Sequence, residues 1–531
     1  MPYKKIVLFI GIFMMTIIGF GGCGHAGNDS SPSWYDDSHA SSSAMQGIGN
    51  ARPGNGGFET KEYPAYSEWH NILLGSAFIE IAPPKYDCAY SFSEGMARVC
   101  LGGKYGFIDK INREAVPLIY DYTDDFINDM AAVNIGAETY GSTFDYYMNS
   151  GGKWGFVDKT GMEVISCKYD FLPQEPTNDG SGRVIGFCDG MAVIGIGSDS
   201  YWDCEWGVIN KAGEVIVSVG IYGWISSFND GIARVLFDSK YGLIDTSGNE
   251  VVPLKYDWIG SFSEGLAAVR IGDWEAGKYG FIDKTGKEAV TCRYNYVSPF
   301  SEGLATVSFG SYVYEDGEEF YKGKWGFIDK SGKEIVPMKY DYVCDFSEGF
   351  AAVNIGARVW SDEWGLGPSD GKWGVVDKTG REVVPCQYDY VESFSEGLAV
   401  IRHGGKYGFI DVTGSVVVPC QYTSVHSFSE GLAAVRLGDS DTGKWGFVDT
   451  VGREAVLCQF DDACSFSEGL AAVRIGDRET GKWGFIDTAG EKVMPCQFDD
   501  VYSFSEGIAA VNLDGRWGYI AVVEKEAPKD N

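Results

Sequence analysis

Carboxylates are the residues of this chain best placed to do chemistry, because they return at fixed positions. A Ser-Glu-Gly step supplies Glu94, Glu264, Glu302, Glu348, Glu396, Glu430, Glu468 and Glu506. A Phe-Ile-Asp step and its variants supply Asp109, Asp158, Asp245, Asp283, Asp329, Asp377, Asp411, Asp449 and Asp487. Glycoside hydrolysis uses two carboxylates at a set separation, one of them tuned by its surroundings. Equivalent glutamates in repeat after repeat cannot all be that residue, so pairing with lysines or backbone amides is the better reading. The aspartates lie beside Gly-containing loops, which invites calcium. Each loop offers one acid, however, and calcium wants several oxygens. An Asp that caps its own turn accounts for the pattern.

The chain holds 13 cysteines. Cys167, Cys292, Cys386, Cys420, Cys458 and Cys496 occupy one recurring position, where other copies place Leu118, Leu254 and Met338. A site that accepts Leu, Met and Cys alike is an apolar packing site, with the thiol acting as a small hydrophobe. Disulfides between stacked neighbours are the other reading. Cys88, Cys344 and Cys464 lie in connectors and are the better disulfide candidates, with no pairing deducible. No C-x-x-C pair occurs, and the histidines (His25, His39, His70, His403 and His426) stand in no recognisable triad. Nucleophile-elbow, phosphate-loop and zinc-protease motifs are absent. The sequence therefore assigns no catalytic, cofactor-binding or metal-binding residue.

What positions these residues is a repeat. The step Lys-Trp/Tyr-Gly-Phe-Ile-Asp and its variants place an aromatic-Gly pair at Tyr105, Trp154, Trp206, Tyr241, Tyr279, Trp325, Trp373, Tyr407, Trp445, Trp483 and Trp517, spaced 34 to 52 residues apart. A period in this range marks an architecture whose units cannot bury their apolar faces alone. In the unit from Phe466 to Cys496, Leu470 to Ile475 and Lys482 to Asp487 read as strands. Thr488-Ala489-Gly490 is a tight hairpin loop with Gly at positive φ. Glu491 to Cys496 is a third strand, and a connector of about ten residues follows. Glycine inside a strand marks a close approach, which predicts that the aromatic of one repeat packs over the glycine or connector of a neighbour. No helix-period pattern of any size occurs outside the leader.

The pattern K-W/Y-G-F-I-D-K-T-G-K-E-V-V-P-C-Q-Y-D-Y-V…F-S-E-G-L-A-A-V resembles the WG (KWG) repeat family of bacterial proteins, over roughly Pro84 to Ile520. Its weakest copies are early: Ile111-Asn112 replaces the usual turn, and Glu205 to Asn210 lacks the Lys and the Asp. The resemblance implies an interaction or envelope role and carries no common reaction, cofactor or catalytic residue. The expected fold is all-β: a tandem array of about eleven three-stranded antiparallel meanders, open and superhelical. One or two β-propellers are the alternative, with Tyr-Asp-Tyr-Val of the connector supplying a fourth strand.

The address comes from the first residues. Lys4 and Lys5 precede the apolar run Ile6 to Phe20, which is too short to span a bilayer and suits a signal-peptide core. Phe20-Gly21-Gly22-Cys23 resembles a bacterial lipobox, although Phe stands where Leu is usual. Residues 1–22 are read as a lipoprotein signal peptide, with Cys23 as the lipidation site. Residues 23–60 are a Ser/Gly/Asn/Pro-rich tether, 61–523 the repeat array and 524–531 a charged tail. Formal charge is −32. Such a surface disfavours nucleic acid and anionic headgroups. The expected location is the cell envelope, extracytoplasmic and held to a membrane by lipid on Cys23.

Variation concentrates between the first and second strand of each meander. Some copies are as short as His403-Gly404-Gly405, whereas others expand and become aromatic and acidic. The candidate ligand-binding residues are Tyr140, Tyr146, Tyr147, Trp202, Trp274, Tyr312, Tyr314, Trp360 and Trp364. Arising from one hairpin type, these insertions should share one edge and suit sugar stacking, or a cationic or protein ligand. Packing on adjacent units is the competing explanation. The leading expectation is a lipid-anchored scaffold that binds protein or glycan through this edge. The rivals are a polysaccharide-active hydrolase with a site between Tyr140 and Asp203, and a spacer without ligand.

Overall fold

A computed structural model describes residues 78–522, apart from 140–148, 176–182, 198–203, 274–275, 316–317, 363–364 and 440–441. Residues 1–77 and 523–531, which hold the leader, Cys23, the tether and the tail, lie outside the described residues. No helix occurs among the described residues.

Each repeat builds one small antiparallel sheet, and blade 7, residues 342–388, shows the plan. Its strands are Tyr342–Val343, Phe350–Ile355, Lys372–Asp377 and Glu382–Tyr388, hydrogen-bonded in that order. The connector thus supplies a strand, and most units are four-stranded where three were expected. Along Phe350–Ile355, Ala351 and Val353 point to one side and Ala352 and Asn354 to the other, and all four are buried. Both sheet faces are therefore covered, each by a neighbouring blade. One apolar cluster joins Trp373, Val375 and Val384 of blade 7 to Phe394, Ala399, Ile401 and Ile410 of blade 8. The core of the molecule is a series of such interblade layers.

Glycine in the Trp-Gly step has a specific cause. Strand pairing runs Trp373↔Tyr388 and then Val375↔Val384, so the outer strand carries a two-residue bulge opposite Gly374. A Cβ on Gly374 would lie 2.4 Å from the Val384 carbonyl oxygen and 2.8 Å from the Pro385 carbonyl carbon. The close approach comes from the blade's own outer strand, which corrects the expected contact with a neighbour's ring. The aromatic does pack on connectors: Trp373 meets Tyr342 and, in blade 8, Tyr390, both edge to face.

The array closes. Phe78–Tyr86, the first described strand, pairs with Arg516–Val522 as the outer strand of the last blade. Tyr519 Oη donates to the Tyr90 carbonyl, and Arg516 pairs with Asp87. The outcome is a closed ring of eleven sheets resembling an eleven-bladed β-propeller, so the open superhelix gives way to the propeller alternative. Closure covers the apolar sheet faces that an open array would leave bare at both ends, joining Phe92 and Ala97 of the first blade to Ala510 and Tyr519 of the last. Blade 3 is the irregular member, its first strand reduced to a bridge between Phe171 and Gly195.

Of the three connector cysteines expected as disulfide candidates, only Cys88 is bonded. Cys88 forms a disulfide with Cys100, its cross-strand partner, whereas Cys344 and Cys464 are thiols. Each of the six repeat cysteines is also a thiol. Cys386 reaches over Gly374 toward the Val353 carbonyl, at 3.7 Å, and packs beside the interblade core. Met338 and Leu254 pack in the same way at that position.

Candidate functional site: the two rims of the ring

Antiparallel order sorts the loops. The turns between the first and second strands and between the third and fourth emerge on one rim, called here the turn face. The loops between the second and third strands, and the connectors to the next blade, emerge on the opposite rim, the hairpin face.

The recurring glutamates form the turn face. Ser-Glu-Gly turns place Glu at φ near 50° and Gly near 80°, as at Glu264 and Gly265, the geometry of a tight hairpin with two left-handed residues. That conformation directs the carboxylate to the following blade. Glu396 accepts from the amides of Glu430 and Gly431 at 2.7 and 2.8 Å, and Glu430 from those of Glu468 and Gly469. Glu506 closes the circle on the amide of Gly95 at 3.0 Å. Lysines of the adjoining turn join in, with Lys159 3.0 Å from Glu94 and Lys378 3.0 Å from Glu302. Burial alone would raise the Glu94 carboxyl, but the Asp129 and Asn128 amides and Lys159 hold it below its ordinary value. The serine of the same step donates to the next blade, as Ser429 Oγ does to the Phe466 carbonyl at 2.9 Å.

The recurring aspartates cap their own turns. Asp377 Oδ1 accepts from the amides of Thr379 and Arg381, and Asp329 from those of Ser331 and Lys333. Among the described residues no group of three or more His, Cys, Asp and Glu is placed to hold a metal ion.

On the hairpin face a second carboxylate series, not foreseen from the sequence, fastens the blades. Lys372 Nζ lies 2.5 Å from Asp389, whose other oxygen accepts from the amide of Gly404 in the next blade at 2.7 Å. Lys104 and Asp121, Lys240 and Asp257, and Lys324 and Asp341 repeat the pair. The signal was present, since Lys and Asp stand 17 residues apart in every case.

Above these fasteners rise the insertions. The longest described hairpin, Leu304–Glu315 with Glu318–Asp329, is extended by a second, Arg358–Asp362 with Gly365–Ser369, so that blades 6 and 7 share one projecting sheet. Tyr314 stands 75% exposed on it, and Tyr312 is half-buried against Tyr321. Trp360 is half-buried too: its ring lies 4.4 Å from that of Phe320, and its Nε1 donates to Ser369 Oγ at 2.6 Å. Tyr312, Tyr314 and Trp360 thus share one sheet, but Trp360 lies with Phe320 on the face opposite Tyr312 and Tyr314 and packs between neighbouring hairpins. Tyr140, Tyr146, Tyr147, Trp202, Trp274 and Trp364 lie outside the described residues.

The axial edge carries polar groups as well. Asp345 Oδ1 accepts from Ser298 Oγ at 2.7 Å and Thr306 Oγ1 at 2.8 Å, both from the preceding blade, and Ser427 Oγ donates to Glu392 at 3.0 Å. Asp345 keeps accessible surface yet is enclosed by protein, and that enclosure raises its carboxyl despite the two hydroxyl donors. These contacts stitch blades together around the axis.

The repeats match the family described as WG containing repeat in eleven segments, from residues 80–105 through 483–517, and the chain belongs to that family. No curated protein matches the sequence. Among solved structures, "Crystal structure of the eukaryotic initiation factor" aligns at 11% identity and TM-score 0.35, over 70% of this chain and 89% of that one. Dipeptidyl peptidase 4 of Porphyromonas gingivalis aligns at 8% identity and TM-score 0.33, over 78% of this chain and 60% of that one. TolB from Acinetobacter baumannii aligns at 13% identity and TM-score 0.19, over 57% and 79%. Similarity at this level carries no functional argument.

Proposed function

We propose that this chain is a lipid-anchored scaffold of the cell envelope that binds a protein or glycan on its hairpin face. The supporting observation is that the described insertions of blades 6 and 7 rise from one rim, while the residues that hold the ring together recur from blade to blade. Tyr314 is an exposed aromatic on that rim, as a stacking residue must be. The chain enters the ring at Phe78 and leaves it at Val522, paired ends that both lie on the turn face. An anchor at Cys23 would therefore attach to the side away from the hairpins, leaving them directed outward.

Two measurements test the reading separately. Cys23→Ala should leave unlipidated precursor whose processing no longer responds to globomycin; equal membrane retention of wild type and variant contradicts the anchor. Tyr314→Ala and Trp364→Ala should lose capture of envelope protein or glycan while melting like wild type. Retained capture in both variants contradicts binding at the hairpin face.

A further inference from the structure

We infer that the hairpin face docks a cationic, amphipathic segment of a partner protein, an inference that rests on the binding reading above and names the chemistry of its ligand. The first support is an apolar ring. Leu101, Ile135, Phe237, Ile271, Phe309 and Ile355 hold one repeat position on the second strand, its last residue except in the longer strands of Ile135 and Phe309, and are 44% to 54% exposed. All lie on the hairpin face by strand order. Ile271 shares a strand side with Ala267 and Val269, both wholly buried, so the ring continues the interblade core past the point where a neighbour covers it. Phe309 leans on Tyr294 of the preceding blade, with centroids 5.1 Å apart. That contact uses part of the side chain and leaves the rest to solvent. A circle of half-exposed apolar side chains, repeated blade by blade on one rim, is what an interaction surface requires and a solvated rim does not.

The second support is charge. The described residues of the loops joining second to third strands, 102–103, 136–139, 149–152, 197, 204, 238–239, 272–273, 276–277, 310–315, 318–323, 356–362, 365–371, 404–405, 438–439, 442–443, 476–481 and 514–515, hold 12 acidic and 3 basic residues. They carry a net charge of −9 out of the chain's formal −32. Four of the lysines at their base, Lys104, Lys240, Lys324 and Lys372, do not cancel it, because they are paired with the connector aspartates. A neutral glycan makes no use of such a field, and a second copy of this chain would present the same sign on the same face. Nucleic acid and anionic lipid are repelled. A segment with lysines or arginines on one side and aliphatic residues on the other satisfies both features: the acidic loops attract its charge, and the ring covers its apolar side.

The test uses the full chain and three probes: a Lys/Leu amphipathic peptide, its Gln/Leu counterpart and a neutral oligosaccharide, each followed by fluorescence anisotropy. Peptide affinity should fall about tenfold or more between low and physiological salt, as expected for attraction between solvent-exposed charges. It should also fall about fivefold or more in Asp273→Asn/Glu319→Gln/Asp477→Asn and in Ile271→Gln/Ile355→Gln. The control variant Glu114→Gln/Glu382→Gln, exposed acids at the turn-face ends of outer strands, should change it less than about twofold. Thermal melts of all three variants verify folding. Equal loss in the control, no loss in either hairpin-face variant, or no peptide binding overturns the inference. Oligosaccharide binding without peptide binding overturns the cationic partner and leaves the scaffold reading standing.

Discussion

The two rims of the ring solve different problems with the same kind of residue. On the turn face, glutamates in left-handed turns receive the amides of the next blade, an arrangement that runs from Glu94 round to Glu506 with Asn128, Asp189 and Asp230 in place of glutamate in blades 2 to 4. On the hairpin face, aspartates hold lysines and the next blade's amide at the base, and everything above that base varies in length and side chain. Carboxylates on the turn face bind the next blade, whereas Asp273, Asp439 and Asp477 of the hairpin loops accept from their own loops only in part and keep a surface charge. The difference teaches that equivalence under the repeat marks structure, and departure from it marks the surface left to interact.

The largest effect expected is at the layer both rims share. Trp373, 4% exposed between Tyr342 and Tyr390, should cost about 3–5 kcal/mol when replaced by Ala, read from denaturant melts. Gly374→Ala should cost about 1–3 kcal/mol or more, because the outer-strand bulge has to move. A small loss in both would mean that the Trp-Gly step is not the centre of each blade.

Next comes the turn face. Glu430→Ala leaves two amides without their carboxylate and should cost about 0.5–1.5 kcal/mol. The Glu94 and Glu302 carboxyls lie below their ordinary value of 4.5, so their stabilisation is complete above that pH and is lost as pH falls through the lowered values. Melting temperature should be level near neutrality and drop below about pH 4.5; a drop beginning near pH 7 would contradict the account.

Cys386→Leu should cost less than about 1.5 kcal/mol, as an apolar exchange at a site that elsewhere holds Leu254 or Met338. Burial pushes the Cys386 thiol up to about 11, so it should alkylate slowly in the folded protein at neutral pH, by mass spectrometry after thiol blocking. The smallest effect belongs to the hairpin tips: Tyr314→Ala should change stability by about 0.5 kcal/mol or less. A Tyr314→Ala loss matching that of Trp373→Ala would erase the distinction between the rims.

Much of this was legible from the residues. Period, strand alternation and the Asp-x-x-Gly turns follow from local rules, and the turn-capping aspartates and apolar cysteine position came directly from comparing copies. Closure was not legible, because it depends on Phe78–Tyr86 standing in for an outer strand more than 400 residues from its partner. The connector strand is only two residues long in most blades, too short for an alternation pattern to reveal. Pairing of Cys88 with Cys100 follows from strand register, which composition does not contain. Trp360 looked free because its partner Phe320 lies in another repeat.

Everything said of two rims depends on the ring being closed, and single-particle electron microscopy of the chain tests that most directly. Face-on views should show one closed ring of eleven lobes, with the added density of the hairpins confined to one side in edge-on views. An open spiral, two smaller rings, or hairpin density on both sides would contradict the account.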